Sequence, residues 1–227
     1  MKWSDSHPIS PTSFAEFEQC PKKFYHRNIA RDYPFEESEH LVWGRAVHKA
    51  IELRLSKDKP LAPNMEIFEP FCLSILEWPV VLCERDLGMT WEGEARDGRA
   101  RDCAVKAKGD IIVMDAAFTN AMTIDIKTGK PREEPFQLHL QSLVLQAHYP
   151  TLKSVKGAYY WTQEGRLGPV YDVTGCWDKA MPRLYDMADA IDAIYGPPVV
   201  MEKFVAVPGD PFPCKWCSAP CEYAGGR

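Results

Sequence analysis

The chain has 227 residues, with 27 Lys and Arg against 32 Asp and Glu, so its net charge of −5 offers no global positive field to gather nucleic acid. A hydrophobic fraction of 45% and a charged fraction of 26% exclude disordered, collagen-like and coiled-coil classes, and the length suits one domain over residues 1–227. No apolar run is long enough to span a membrane, and Met1-Lys2-Trp3-Ser4-Asp5 leads into no secretory segment, so the expectation is a cytoplasmic protein.

Ser10-Pro11 reads as a helix N-cap followed by proline at the first helical position, with Phe14 and Phe17 on its apolar face and an end near Cys20. Leu41, Gly44, His48, Ile51 and Leu55 recur at three- and four-residue steps, which predicts a second helix with all five on one face. The proline-bearing stretch Lys57 to Pro70 reads as a loop, and Phe71 to Cys83 fits helix or strand.

Val105 to Met114 and Met122 to Lys127 are β-branched and apolar, with Asp115 to Asn120 as a hairpin loop. Period two puts Met122, Ile124 and Ile126 on one face and Thr123, Asp125 and Lys127 on the other. Thr128-Gly129-Lys130-Pro131 ends that strand, and Phe136, Leu140, Leu143, Val144 and Ala147 return to helical spacing, with Gln137 and Gln141 sharing another face. Ser154 to Trp161 and Pro169 to Val173 read as a hairpin, and Pro182 to Tyr195 as a last helix stopped by Gly196-Pro197.

Asp110 and Asp125 lie on strands expected to pair, and Lys127 shares the face of Asp125. Two carboxylates brought together repel unless a proton or a cation lies between them, and their oxygens suit a hard ion such as Mg²⁺ or Mn²⁺. An ammonium beside that ion can orient a water or steady negative charge, which is equipment for phosphodiester hydrolysis. A solvated strand face is the competing reading of an isolated Asp-x-Lys. The cysteines of Cys214-Lys-Trp-Cys217-Ser-Ala-Pro-Cys221 have metal-ligand spacing, and Cys72, Cys83, Cys103 and Cys176 read as ordinary buried thiols.

The ordered set Ser-Pro-Thr-Ser-Phe with Gln19-Cys20-Pro21, Gly44-Arg-Ala-Val-His48, Gly109-Asp110, Asp125-Ile126-Lys127, Gln137 and the three terminal cysteines resembles the PD-(D/E)XK nuclease superfamily. The likeness is to its RecB- and AddB-like branch and to CRISPR-associated iron-sulfur exonucleases, from about Ser10 to Tyr223. It implies a restriction-endonuclease-like α/β fold: an αβββαβ core with a mixed central sheet, flanking helices and a cysteine-bound metal clip joining the terminal regions. It implies that His48, Asp110, Asp125 and the carbonyl of Ile126 hold Mg²⁺ or Mn²⁺. Asp110, Asp125, Lys127 and Gln137 would carry catalysis, with Gln137 touching DNA or the lysine. Glu84 lies near an upstream acid that some relatives place beside the site and receives no role.

Gln141 stands where the family's Gln-x-x-x-Tyr signature has tyrosine, so an exposed helix position and a retained substrate contact both stay open. Cys20 with Cys214, Cys217 and Cys221 would bind a 4Fe-4S cluster. The last gap is three residues where the family commonly has five, which keeps structural Zn²⁺ as the alternative. The activity implied is DNA exonuclease action on an accessible or single-stranded end in recombination, repair or end processing, with a repair protein as a further partner and no membrane role. The rival is an inactive nuclease-fold protein that binds nucleic acid or assembles with a partner.

Lys22, Lys23, His26 and Arg27, with Lys127, Lys130 and Arg132, could track phosphates. Tyr159, Tyr160, Trp161 and Trp216 either stack on bases or pack in the core.

Overall fold

The computed structural model describes residues 7–33, 37–130, 135–194, 204–206 and 214–224. The chain divides into two compact units, one formed by Glu37–Ala180 and one by Met1–Glu36 with Met181–Arg227. Arg132, the side chain of Trp216 and the expected helix stop at Gly196-Pro197 lie outside the described residues.

In the terminal unit, helix α1 (Pro11–Gln19) opens on a capping box in which the Ser10 and Ser13 side chains each bond the other's backbone N–H. Helix α2 (Pro21–Phe24) follows Cys20 and widens into a π-turn over Tyr25–Ala30, which Arg31 ends in the left-handed conformation. Phe14, Phe24 and Phe204 are buried, and Phe24 takes Phe17 edge-on. Lys22 Nζ donates to Glu222 at 2.9 Å, joining the beginning of the chain to its end. His26 is buried on Asp32, Arg27 pairs with Glu16 and Lys23 donates to Gln19, so all four basic residues after Cys20 are engaged locally.

In the larger unit, helix α3 (Glu39–Lys57) is capped by the Ser38 side chain, which accepts from Leu41 N–H. Of the proline-bearing stretch expected as a loop, residues 58–62 are irregular as expected, but Pro63–Phe68 form a 3₁₀ turn running into α4 (Glu69–Leu76). Its Met65 and Phe68 are apolar enough to be drawn into the core despite the prolines. Strands β1 (Val80–Met89), β2 (Ala95–Asp97), β3 (Val105–Met114) and β4 (Asn120–Lys127) follow, then α5 (Phe136–His148), β5 (Ser154–Trp161) and the short β6 (Arg166–Leu167) and β7 (Tyr171–Asp172). Helix α6 (Trp177–Ile194), which from Met181 onward belongs to the terminal unit, starts before the expected Pro182, which it carries internally at the cost of one backbone hydrogen bond.

The sheet order is β2-β1-β3-β4-β5-β6, with β7 also on β5. β4 and β5 are parallel and the other pairs antiparallel, so α3, β1, β3, β4, α5 and β5 form the expected αβββαβ core with a mixed sheet.

Alternation along the strands builds a core on each face of the sheet. Ile111, Val113, Ile124 and Ile126 pack with Val47, Ile51 and Leu55 of α3 and Phe71 and Ile75 of α4. Ile112, Met114 and Val155 pack with Leu138 and Leu145 of α5. Each such side chain stabilises by about 1.5–3 kcal/mol relative to exposure, so the sheet is clamped from both sides. Tyr159, Tyr160 and Trp161 are buried, and Tyr160 stacks on Phe71 with ring centroids 3.7 Å apart, which settles these aromatics as core rather than base-stacking groups. No helix among the described residues is long and apolar enough to cross a membrane.

Candidate active site

The site begins with two interruptions of regular pairing. The β1–β3 ladder runs from Val80–Met114 to Met89–Val105 but skips the pair Glu84 and Asp110. Glu84 has φ 55°, a left-handed conformation that is costly for a side chain with a Cβ. Val80 and Leu82 pack in the same cluster as Leu87, so the period-two alternation of β1 breaks between them. Strand β3 also stops pairing with β4 at Ile111–Ile124. Beyond that point the Asp110 carboxylate reaches across, and its Oδ2 accepts the Ile126 backbone N–H at 2.8 Å.

These distortions bring donors from three elements together. His48, one turn after Gly44 on α3, has Nδ1 3.5 Å from Asp110 Oδ1 and 3.8 Å from Glu84 Oε1. Its Nε2 lies 3.0 Å from the Ile126 carbonyl oxygen, to which it donates. Ligand atoms of His48, Glu84 and Asp110 all lie within 4.8 Å of one another, a spacing that could hold a metal ion. Burial alone would depress the basicity of His48, but Asp110 and Glu84 together outweigh it and hold the imidazolium up to about 10. His48 and Lys108 in turn keep Glu84 below the usual carboxylate range, against the effect of its partial burial.

Asp125 stands next to this group on β4. It is only 3% exposed, and its Oδ1 accepts from Gln137 Nε2 and, at 3.2 Å, from Gln141 Nε2. Its Oδ2 is buried without an aligned hydrogen bond, although Lys127 Nζ lies 2.7 Å away. The short separation marks a charge contact rather than a satisfied lone pair. Burial pushes Asp125 up to about 6, Lys127 opposes that rise, and the negative charge of Asp110 adds to it. Gln137 Oε1 accepts from Lys127 Nζ at 2.8 Å, so acid, amine and amide close a ring.

The structure thus groups His48, Asp110 and Ile126 O, joins Asp125 to Lys127 and Gln137, and leaves the Asp110 and Asp125 charges within mutual influence. Two participants were not assigned from sequence. Glu84 carries no local signal, because only its backbone conformation turns it toward His48. Gln141 is 2% exposed rather than on an open helix face. Its neighbours Leu138, Leu140, Leu143, Val144 and Leu145 make α5 apolar nearly all round, and that pattern marks a buried helix.

A cleft of about 560 Å³ opens over the site, lined by residues that include Leu41, Gly44, Arg45, His48, Glu84 and Lys108. Leu41 was expected on the packed face of α3, but it is 47% exposed along this cleft while Ile51 and Leu55 enter the core. The apolar stripe of α3 therefore serves the cleft at one end and the core at the other. A Cβ on Gly44 would stand 3.1 Å from Thr128 Oγ1, so the glycine permits a close approach of helix to strand end.

The four cysteines expected to form the clip, Cys20, Cys214, Cys217 and Cys221, are free thiols of intermediate exposure. Cys20 and Cys221 both lie close to Lys22, whose hold on its proton is strengthened chiefly by Glu222. Cys72, Cys103 and Cys176 are buried and Cys83 partly so, as expected of ordinary thiols.

The chain is similar to the crystal structure of SSO0001, with 13% identity, a TM-score of 0.49, and coverage of 92% of this chain and 84% of that one. It is also similar to a crystal structure named "Putative exonuclease" from Eubacterium rectale, with 12% identity, a TM-score of 0.41, and coverage of 80% and 81%. No curated protein matches the chain significantly. Residues 8–221 match the model of one family over nearly the whole chain, and the chain belongs to that family, the PD-(D/E)XK nuclease superfamily.

Proposed function

We propose that this protein is a Mg²⁺- or Mn²⁺-dependent deoxyribonuclease of the RecB- and AddB-like kind, acting as an exonuclease in recombination, repair or end processing. The observation that carries the reading is the pairing of Lys127 with a buried Asp125 whose Oδ2 lacks an aligned hydrogen bond, beside the His48, Glu84 and Asp110 cluster. A buried carboxylate beside another acid, with one ammonium 2.7 Å away and out of hydrogen-bond alignment, is stabilised further by a second cation.

The donors fit such an ion. Ligand atoms of His48, Glu84 and Asp110 lie within 4.8 Å of one another, and their oxygen and imidazole donors suit a divalent ion. His48, Asp110, Asp125 and the Ile126 carbonyl would hold it, with Glu84 as an added oxygen donor. When bound, the ion supplies Lewis acidity toward the scissile phosphate and lowers the pKa of a water. Lys127 donates one N–H to Gln137 and lies in charge contact with Asp125, and it can offer a remaining donor to the attacking water or a phosphate oxygen. Gln137 fixes the direction of that ammonium. Lys108 and Arg45 line the cleft in ion pairs with Glu84 and Glu37, and phosphates entering the cleft could compete for them.

The reading includes a 4Fe-4S cluster on Cys20, Cys214, Cys217 and Cys221, with Zn²⁺ as the alternative. Four uncrosslinked thiols within one unit, two of them flanking the Lys22–Glu222 contact, support a metal staple between the terminal segments. In the disulfide loop-entropy picture, closing so long an interval would stabilise by about 5 kcal/mol.

Purified protein should degrade end-labelled single- or double-stranded DNA with Mg²⁺ or Mn²⁺, and Asp125→Ala and Lys127→Ala should each lower the rate at least about a hundredfold. Equal rates for all three proteins would refute the site. DNA binding without cleavage by any of them would favour an inactive nuclease-fold protein.

A further inference from the structure

The position where the family's signature carries tyrosine holds Gln141, and its surroundings assign it work that tyrosine cannot do. Its Nε2 donates to the Lys108 carbonyl of β3 at 3.0 Å and to Asp125 Oδ1 of β4 at 3.2 Å, while its Oε1 accepts from Thr123 Oγ1 at 2.7 Å. Chemistry fixes this orientation. Turning the amide over would aim its oxygen at a carbonyl and a carboxylate, both acceptors, so only the arrangement with both N–H groups on those oxygens is stable.

Those two bonds fall where the backbone ladder between β3 and β4 has ended, one residue past Ile124 on β4 and three short of Ile111 on β3. A tyrosine hydroxyl has one proton and could not donate to both strands. Gln137 Nε2 donates to the same Oδ1, so both amides grip one oxygen of Asp125 and leave Oδ2 as the oxygen that faces Lys127. Gln141 is nearly inaccessible, and its three bonds all go to groups within the unit, so a direct contact with substrate is not its work.

We infer that Gln141 is a positioning residue that holds the β3–β4 gap open at a fixed width and presents Asp125 Oδ2 to a divalent cation. The inference rests on the metal-dependent reading above, and it assigns no substrate contact to this position.

The test is Mn²⁺ binding followed by electron paramagnetic resonance on the full chain without DNA, with cleavage kinetics and thermal melts in parallel. Gln141→Leu keeps the bulk and removes all three bonds. It should raise the half-saturating Mn²⁺ concentration about 10- to 100-fold, the usual effect of losing a group that orients a metal ligand. Its cleavage rate should recover at high Mn²⁺ while its KM for DNA stays near wild type. Thr123→Val leaves both bonds to the strands in place but strips the amide oxygen of its donor and loosens its seat, and should shift the Mn²⁺ dependence in the same direction by less. Should Gln141→Leu fail to fold, Thr123→Val carries the test alone.

Unchanged Mn²⁺ affinity in folded Gln141→Leu, or in Thr123→Val where that variant stands alone, would overturn the positioning role while leaving the nuclease reading intact. A raised KM for DNA with unchanged Mn²⁺ affinity would also overturn it, in favour of substrate contact. Wild-type protein that neither binds Mn²⁺ nor cleaves DNA would overturn both.

Discussion

A carboxylate that is 3% exposed and flanked by another acid is a liability to the metal-free fold, and Asp125→Asn should expose its size. The rise of the Asp125 pKa from 3.8 to about 6 corresponds to about 3 kcal/mol of destabilisation once the group is ionised. Because the folded value lies above the unfolded one, the proton is favoured in the folded state. The group's contribution is therefore present at low pH and is lost as pH rises from about 4 through about 6.

Asparagine keeps an acceptor for Gln137 and Gln141 but turns a second donor toward Lys127, so the net gain for Asp125→Asn should be about 1–2 kcal/mol at neutral pH. For a chain of this length that is about 2–8 °C in melting temperature. Differential scanning calorimetry in a chelator should show Asp125→Asn melting above wild type at about pH 7.5, with the gap closing toward about pH 4.5. Added Mg²⁺ should raise the wild type more than the variant, and the variant should be inactive. Melting of Asp125→Asn below wild type at neutral pH, or a gap independent of pH, would refute the account of a buried charge awaiting a cation.

His48 is protonated in the metal-free state across neutral pH, so an entering ion must displace a proton, and Mn²⁺ affinity measured by resonance should rise with pH by up to about tenfold per unit. Flat affinity between about pH 6 and pH 9 would contradict ligation by His48. Glu84→Gln should weaken Mn²⁺ binding about tenfold or more with little change in melting temperature, as judged by the same titration. Gly44→Ala should change stability by less than about 1 kcal/mol, because the helix-propensity gain offsets the tight approach to Thr128, and chemical denaturation will measure it. Anaerobically purified protein should be brown, and Cys217→Ala should lose the colour and melt earlier; a colourless protein with stoichiometric zinc would replace the cluster with Zn²⁺.

Pattern and capping chemistry make much of the framework legible. The Ser10-Pro11 start, the limits of β3 at Val105 and Met114, and the facing of Asp125 and Lys127 follow from local rules that the tertiary structure does not override. The Met65 and Phe68 turn was hidden because prolines speak for a loop while burial, which depends on distant partners, speaks for a helix. Glu84 was hidden more deeply. Its usefulness lies in one backbone angle and a skipped pair, and neither leaves a trace in residue type. Gln141 was visible as an unusual residue, but its worth depends on two acceptors brought to it from other strands.

The two flanks of β4 differ in stiffness. Toward β5 its ladder is complete from Asn120–Ser154 to Lys127–Trp161, whereas toward β3 it ends at Ile124. Asp125 and Lys127 therefore ride on one rigid rail, and the acid-to-amine spacing is set by the β5 side. The acid-to-acid spacing is set instead by side chains, the Gln141 amide and the Asp110 carboxylate bridging to β4 where the ladder is absent, so substitutions there should change it without disturbing the distance between the amine and its carboxylate.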